Sequence, residues 1–174
     1  MAYADPSTRA TDDVVTAAVW NQDVVANPEF LHDPPTCRVY NSAGISISDG
    51  VVTALTFNSE RYDTDTMHST VTNTSRITAT TAGKYLITAT IGFAANNTGR
   101  RQVAIRLNGT TYIAVDARAT VGSGQVTEVS IATVYALAAA DYVEVTVFQD
   151  TGGSLNVSAA SAYTPELTAT WLSG

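Results

Sequence analysis

The sequence alternates apolar and polar side chains with a period of two from residue 37 to the C-terminus, and this feature constrains the fold most. Short turn signals rich in glycine, asparagine and serine separate the alternating runs. The predicted strands cover residues 37–41, 51–57, 76–79, 84–93, 102–107, 111–118, 125–137, 142–149 and 166–172. No helical pattern lies between them, so the sequence predicts an all-β, antiparallel sandwich or barrel.

Asn108 and Gly109 lie between two alternating runs and give the clearest local prediction in the chain. An Asn-Gly pair favours the left-handed backbone that a tight β-turn requires. We therefore expect a β-hairpin at this point.

The N-terminal 36 residues have a different pattern, which predicts a short amphipathic helix. Thr16 is a plausible N-cap, and Pro28 is expected to break or restart the helix because the residue before a proline is pushed out of the helical region. A helix of about ten residues is marginal alone, so it must pack on another surface. We expect its docking face to consist of Trp20, Val24, Phe30 and Leu31. The expected organisation is an arm (residues 1–36) followed by a β domain (residues 37–174).

Composition and charge exclude several classes of function. The net charge is −7, and Arg100 and Arg101 form the only basic doublet, so we expect no binding to nucleic acid. No apolar stretch is long enough to span a bilayer, and the first residues do not resemble a signal peptide, so we expect no membrane partner. Cys37 is the single cysteine, which excludes an internal disulfide. A chain of 174 residues can bury a sizeable core without a disulfide or a metal.

Several strands carry two faces that are both poor in charge. In the run 142–149, Val143, Val145 and Val147 share one face, and Tyr142 and Phe148 lie on the other. One interpretation is a monomer with a threonine-covered sheet. The other is a sheet that packs against sister subunits, because interface cores are depleted of charge and contain aromatic residues.

Four segments resemble the complement globular-head and tumour-necrosis-factor jelly-roll superfamily. They are GKYLITATIGF at 83–93, similar to its Gly-x-Tyr strand; ADYVEVTV at 140–147, similar to its Gly-Asp-x-Val strand; LTATWLSG at 167–174, similar to its closing strand; and Phe57 with Asn58, similar to its first core strand. Ala140 replaces a glycine of that pattern, which affects only a turn.

This resemblance covers about residues 51–174 and implies an antiparallel jelly-roll β-sandwich that forms a homotrimer about a three-fold axis through one sheet. It implies a binding function with no catalysis and no cofactor. We place Tyr85, Tyr135 and Phe148 at the expected trimer interface. The collagen-like Gly-x-y repeats of secreted animal members are absent, which argues against a complement-like extracellular role.

The N-terminal segment contains the run VTAAVWNQ at 15–22, the residues from Asn27 to Leu31 and a Pro-Pro linker at 34–35. On these residues, the segment from Val14 to about Tyr40 resembles the opening of small structural proteins of tailed bacteriophages. Together the two resemblances imply a virion protein whose arm contacts its neighbours and whose jelly roll stands on the particle.

Few residues have the spacing of a catalytic or metal site. Neither His32 nor His68 has the context of a catalytic triad, and Cys37 is better explained as a small buried side chain than as a nucleophile. Asp63 and Asp65 have the spacing of a Ca²⁺ pair, but no third or fourth oxygen ligand is readable, so a solvated acidic loop is the favoured interpretation. We therefore expect no enzyme, no metal and no cofactor.

The leading hypothesis is a non-enzymatic, trimeric capsid decoration protein on a tailed-bacteriophage head. Its expected partners are its own copies and the major capsid protein or other virion proteins. We expect it on the capsid surface after synthesis in the host bacterial cytoplasm. The alternative is a tail-tip or fibre-head module that recognises a host surface glycan or protein through its loops. The loops at 95–101, 119–124 and 150–154 carry few aromatic or basic side chains, which favours the structural role.

Overall fold

The computed structural model of the chain describes residues 4–6, 8–122 and 124–174. Within them, the helical residues of the arm end at His32, the first strand begins at Thr36, and a short 3-10 helix covers Ser161–Tyr163. The strands are β1 (Thr36–Tyr40), β2 (Ile45–Ile47), β3 (Thr53–Ala54), β4 (Ser59–Asp63), β5 (Arg76–Thr78), β6 (Gly83–Phe93), β7 (Arg100–Leu107), β8 (Thr111–Ala119), β9 (Thr127–Leu137), β10 (Tyr142–Gln149), β11 (Leu155–Val157) and β12 (Glu166–Ser173).

These strands form two antiparallel sheets. The seven-stranded sheet has the order β2-β11-β6-β12-β1-β4, with β9 also paired to β6. The five-stranded sheet has the order β3-β10-β7-β8, with β5 also paired to β10. Most neighbours are not consecutive in the chain, as expected for a jelly roll. The prediction of an antiparallel jelly-roll sandwich with a short helical arm is confirmed.

The core lies between the two sheets and is made of the inward side chains of the long strands. In β6 and β10 the inward residues have relative exposures of 0–3%. They are Tyr85, Ile87, Ala89 and Ile91 in β6, and Val143, Val145 and Val147 in β10. Alternate residues of these strands face away from the core, because successive side chains of a strand point to opposite sides.

The hairpin predicted at Asn108 and Gly109 joins β7 to β8. Both residues have positive φ, at 49° and 71°. The Asn108 side chain accepts a hydrogen bond from the Tyr142 N–H (2.9 Å) and donates one to Asp141 (2.7 Å). The turn is therefore fixed by its own backbone preference and by the start of β10.

The structure differs from the sequence prediction at the short strands. Only β3 pairs within the run predicted at 51–57, although Leu55 and Phe57 are completely buried. The strands β2, β4 and β11 were not predicted. Two of them have only three residues, and β4 is a polar strand at the end of its sheet, so none carries a clear apolar alternation.

The arm helix is longer than expected and continues through Pro28. Helical residues run from Ala17–Trp20 (α1) through a π-helical segment, Asn21–Ala26, into Asn27–His32 (α2). Thr16 caps the start, as predicted, by accepting a hydrogen bond from the Val19 N–H. The Asn27 N–H bonds to the carbonyl of Gln22, five residues back. This wider turn accommodates the proline, because Pro28 has no N–H to give to the carbonyl four residues back.

No helix among the described residues is long and apolar enough to cross a membrane.

Candidate functional site

The outward side of β6 carries small and aliphatic side chains with no charge at its centre. Tyr85 and Ile87 point into the core, so Leu86, Thr88 and Thr90 point away from it. The strand pairs with β9 on one side and β12 on the other, and the registers bring similar side chains into line. Across β9, β6 and β12, the three rows are Val134, Leu86 and Thr170; Ala132, Thr88 and Thr168; and Ser130, Thr90 and Glu166.

We call the eight uncharged residues of these rows the β6 face. Charged residues lie at its borders: Lys84 and Glu128 are the second residues of β6 and β9, Glu166 begins β12, and Arg38 of β1 is paired with Thr168. Two of the apolar side chains on the face are well exposed, Leu86 at 37% and Val134 at 55%. An exposed surface of aliphatic and threonine side chains with no central charge is suited to close packing against another protein.

The outward side of the five-stranded sheet has the opposite character. The Glu144 carboxylate is buried, and it lies 3.5 Å from the Nε of Arg76 and 3.2 Å from the guanidinium of Arg106. The Arg76 guanidinium also stacks 3.9 Å above the ring centre of Tyr142. These side chains cover one another within the protomer. Packing this side against another subunit would remove several charges from water, which is costly.

The three residues expected at the trimer interface do not lie on one surface. Tyr85 is completely buried in the core of the protomer, so it is not available to a second copy, and the expectation for this residue is corrected. Tyr135 is paired with Tyr85 and packs partly buried against the same core. Phe148 belongs to the other sheet, 4.7 Å beneath the guanidinium of Arg100. The aromatic face is the inner face in β6, where Tyr85 is buried, and the outer face in β10, where the valines fill the core.

The four residues expected to dock the arm lie on two sides of the helix. Phe30 is 4% exposed and meets the indole of Trp171 edge-on, so it docks the arm on its own jelly roll. Trp20, Val24 and Leu31 are 56%, 49% and 58% exposed. Their docking remains a prediction that requires a partner outside the protomer.

The buried Asn27 side chain folds the first residues back onto the arm. Its carboxamide donates to the Ala4 carbonyl (2.7 Å) and accepts from the Ala4 N–H (3.1 Å). Gln22 donates to the same carboxamide oxygen (2.8 Å). The helical pattern of the sequence did not indicate this contact, because a lone asparagine next to a proline reads as a turn signal.

The residues with possible nucleophilic or acid-base chemistry have structural partners. His68 has a completely buried side chain, with Nδ1 2.9 Å from Glu60 and Nε2 3.3 Å from the Thr74 carbonyl oxygen. It therefore ties the loop between β4 and β5 to the sheet. Cys37 is completely buried. Burial is the largest cause that raises the pKa of its thiol far above the usual value, and the charges of Asp63 and Glu60 raise it further. A thiol held protonated in this way is a poor nucleophile.

The acidic pair of the same loop is engaged in hydrogen bonds. The Asp63 carboxylate accepts hydrogen bonds from the N–H groups of Asp65 (3.2 Å), Met67 (3.0 Å) and His68 (2.9 Å). The Asp65 carboxylate accepts one from the Thr80 hydroxyl. In the part of the chain that the structure describes, no three histidine, cysteine or acidic side chains are grouped as metal ligands. Asp63 acts here as the cap of a loop.

Comparison with known proteins identifies the fold but shows no closer relationship. No protein-family model matches the sequence, and no curated protein matches it. The globular domain of zebrafish complement 1qA superposes with a TM-score of 0.57 at 14% identity, covering 79% of this chain and 97% of that one. Murine APRIL superposes with a TM-score of 0.58 at 14% identity, covering 79% of this chain and 98% of that one. Eiger TNF from S. frugiperda superposes with a TM-score of 0.57 at 11% identity, covering 80% of this chain and 94% of that one.

The chain has the complement and tumour-necrosis-factor jelly-roll fold. At this identity the likeness extends to the fold alone. The candidate site on this jelly roll is the β6 face, which the sequence analysis did not select. Alternation alone gave no signal for this choice, because it separates the two faces of a strand without indicating which one packs on the second sheet.

Proposed function

We propose that the protein is a non-enzymatic structural protein that forms a homotrimer and decorates the head of a tailed bacteriophage. The β6 face carries the proposal. In an isolated protomer Leu86 is 37% and Val134 is 55% exposed, whereas packing on a sister subunit buries them. Burial of apolar surface contributes about 25 cal/mol for each Å² removed from water. Threonine and alanine fill the rest of the face and allow close approach.

The five-stranded sheet supports the same choice of surface by contrast. Its buried Glu144 already has two arginine partners within the protomer. A trimer built on the β6 face leaves those ion pairs undisturbed. The outward side of the five-stranded sheet and the loops then face solvent or other partners.

The location on a phage head rests on the N-terminal segment. Residues 14–40 resemble the opening of tailed-phage structural proteins, and three apolar side chains of the arm, Trp20, Val24 and Leu31, are 49–58% exposed in the protomer. A trimer presents three such arms, so weak individual contacts are multiplied by avidity. The proposed partners are the major capsid protein or other virion proteins. The proposed site is the capsid surface, reached after synthesis in the host bacterial cytoplasm.

Particles made with and without the protein test the decoration role. We expect the protein to co-purify with full heads at a fixed stoichiometry. We expect heads that lack it to release DNA at a lower temperature, and added purified protein to restore their stability. Absence from purified particles, or equal stability of the two kinds of head, would contradict the role.

Binding to host cells separates this proposal from receptor recognition. Fluorescently labelled protein is mixed with host and non-host strains. Decoration predicts no strain-dependent binding. Saturable binding to one strain would replace the decoration role with recognition of a surface glycan or protein.

A further inference from the structure

The exposed side of the arm is apolar and is flanked by acidic residues. Trp20, Val24 and Leu31 are about half exposed, although Phe30 on the same helical segment is seated on Trp171. The arm carries six acidic residues and one arginine, and so accounts for most of the −7 net charge of the chain. These residues are Asp5, Asp12, Asp13, Asp23, Glu29 and Asp33, with Arg9. A surface that accepts this side of the arm should combine a small groove with positive charge.

One groove on the protein has these properties. It lies on the outward side of the seven-stranded sheet, has a volume of about 290 Å³ and adjoins the β6 face. Its lining includes Arg38, Tyr62, Thr88, Thr90, Glu166 and Thr168. Thr88, Thr90 and Thr168 belong to both the groove and the β6 face, so the two surfaces are continuous.

The groove has an excess of positive charge at its rim. The guanidiniums of Arg38 and Arg61 both contact the single carboxylate of Glu166, with Nε distances of 2.7 and 3.1 Å. Their side chains remain 46% and 47% exposed. Arg38, Arg61 and Glu166 together carry a net charge of +1. The exposed Tyr62 ring and the arginines can pack against an indole, because guanidinium groups stack favourably on aromatic faces.

Among the described residues of the arm, none lines the groove of its own protomer. Trp20 is 56% exposed, whereas an indole seated in the groove would be largely buried. A patch and a complementary groove at different places on the same chain produce a head-to-tail contact between copies, and such contacts form a closed ring of three when each copy is rotated by one third of a turn.

We propose that the arm of each protomer packs across the sheet of the next protomer, with Trp20 in the groove between Arg38, Tyr62 and Glu166. The inference rests on the proposed trimer and names the partner of the arm as a second copy of this chain. The acidic residues beside Trp20 then lie near Arg38 and Arg61.

An engineered disulfide tests the contact. The chain carries Trp20→Cys on the arm and Thr88→Cys in the groove, and it is oxidised at low concentration. The native Cys37 does not interfere, because it is completely buried and its thiol is held protonated. We expect covalent dimers and trimers on a non-reducing gel, and only monomers for each single variant. A matched control combines Trp20→Cys with Val115→Cys, which is 55% exposed on β8 of the other sheet, and it should give no covalent trimer.

The outcomes distinguish the arm contact from the trimer itself. The solution mass of the reduced double variant reports the trimer, and the cross-link reports the arm. A trimeric mass without intermolecular cross-links, or with equal cross-linking in the Val115 control, overturns the arm contact and leaves the trimer standing. A monomeric mass for both the double variant and the unmodified protein overturns the proposed trimer and the arm contact together.

Discussion

The ring of Phe30 meets the indole of Trp171 edge-on, with the ring centres 4.8 Å apart and the planes at 88°. The indole is held in place by a hydrogen bond from its Nε1 to the Ala82 carbonyl (3.1 Å). Gly83 makes this possible, since a Cβ at that position would lie 2.2 Å from the indole nitrogen. One aromatic contact therefore ties the arm to the last strand of the jelly roll.

Removing the Phe30 ring should release the arm. We expect Phe30→Ala to lower the free energy of unfolding by about 3 kcal/mol, because a buried aromatic ring is lost and a cavity is left. We also expect faster proteolysis between residues 10 and 35. Leu31→Ala is the matched control, because Leu31 is the neighbouring residue but is 58% exposed. Equal destabilisation by the two variants in urea unfolding would contradict the assignment of Phe30 as the docking residue.

A strand could be predicted from the sequence where its apolar alternation is long and where it lies inside a sheet, with a paired strand on each side. The strand β6 is an example, since every second residue from Tyr85 to Phe93 is buried. The polar edge strand β4 could not be predicted, because it pairs only with β1 and buries little. The helix through Pro28 was also missed, because a proline normally ends a helix, and here the Asn27 N–H instead bonds to the carbonyl five residues back in a wider π turn.

Ala140 has a φ of 73°, a region that favours glycine. We expect Ala140→Gly to raise the free energy of unfolding by about 1 kcal/mol, since the left-handed conformation costs a residue with a Cβ about 1–2 kcal/mol. Ala117→Gly in strand β8 is the control and should lower stability by about 0.5–1 kcal/mol, because glycine there only adds freedom to the unfolded chain. Thermal unfolding measures both, and a lower melting temperature for Ala140→Gly would contradict the strain assigned to this turn.

The Cys37 thiol should be inert in the folded protein. Burial and the nearby carboxylates raise its pKa, so almost no thiolate is present near neutral pH, and the side chain is closed to solvent. We expect no reaction with a thiol-specific reagent in buffer and one reacting thiol per chain in concentrated urea. Rapid modification of the native protein would show that β1 opens readily.

Tyr85 should make the stability depend on alkaline pH. Burial, followed by the charge of Asp65, raises the pKa of its phenol from the ordinary value of 10.0 to about 12. Because the pKa is higher in the folded state than in the unfolded state, protonated Tyr85 adds to the free energy of unfolding. This contribution is complete below pH 10 and is lost as the pH rises through 12. We expect the unfolding free energy of the unmodified protein to fall more steeply across this window than that of Tyr85→Phe. Parallel pH profiles for the two proteins would contradict the burial of this hydroxyl.

The position of the Tyr85 ring also explains why the interface residues could not be chosen from sequence. Alternation separates the residues of β6 into two sets but does not indicate which set faces the second sheet. The larger aromatic side chains resembled an interface core, yet they fill the core of the protomer. The exposed face is the one with Leu86 and Thr88, where small side chains leave the surface flat.

The solution mass of two arginine variants tests the central claim most directly. Val134 lies on the β6 face and Val115 lies on β8 of the other sheet, and both are 55% exposed. We expect the unmodified protein and Val115→Arg to have three times the chain mass of 18.3 kDa by light scattering, and Val134→Arg to be folded and monomeric. A monomeric unmodified protein, or a Val134→Arg variant that remains trimeric, would contradict assembly through the β6 face.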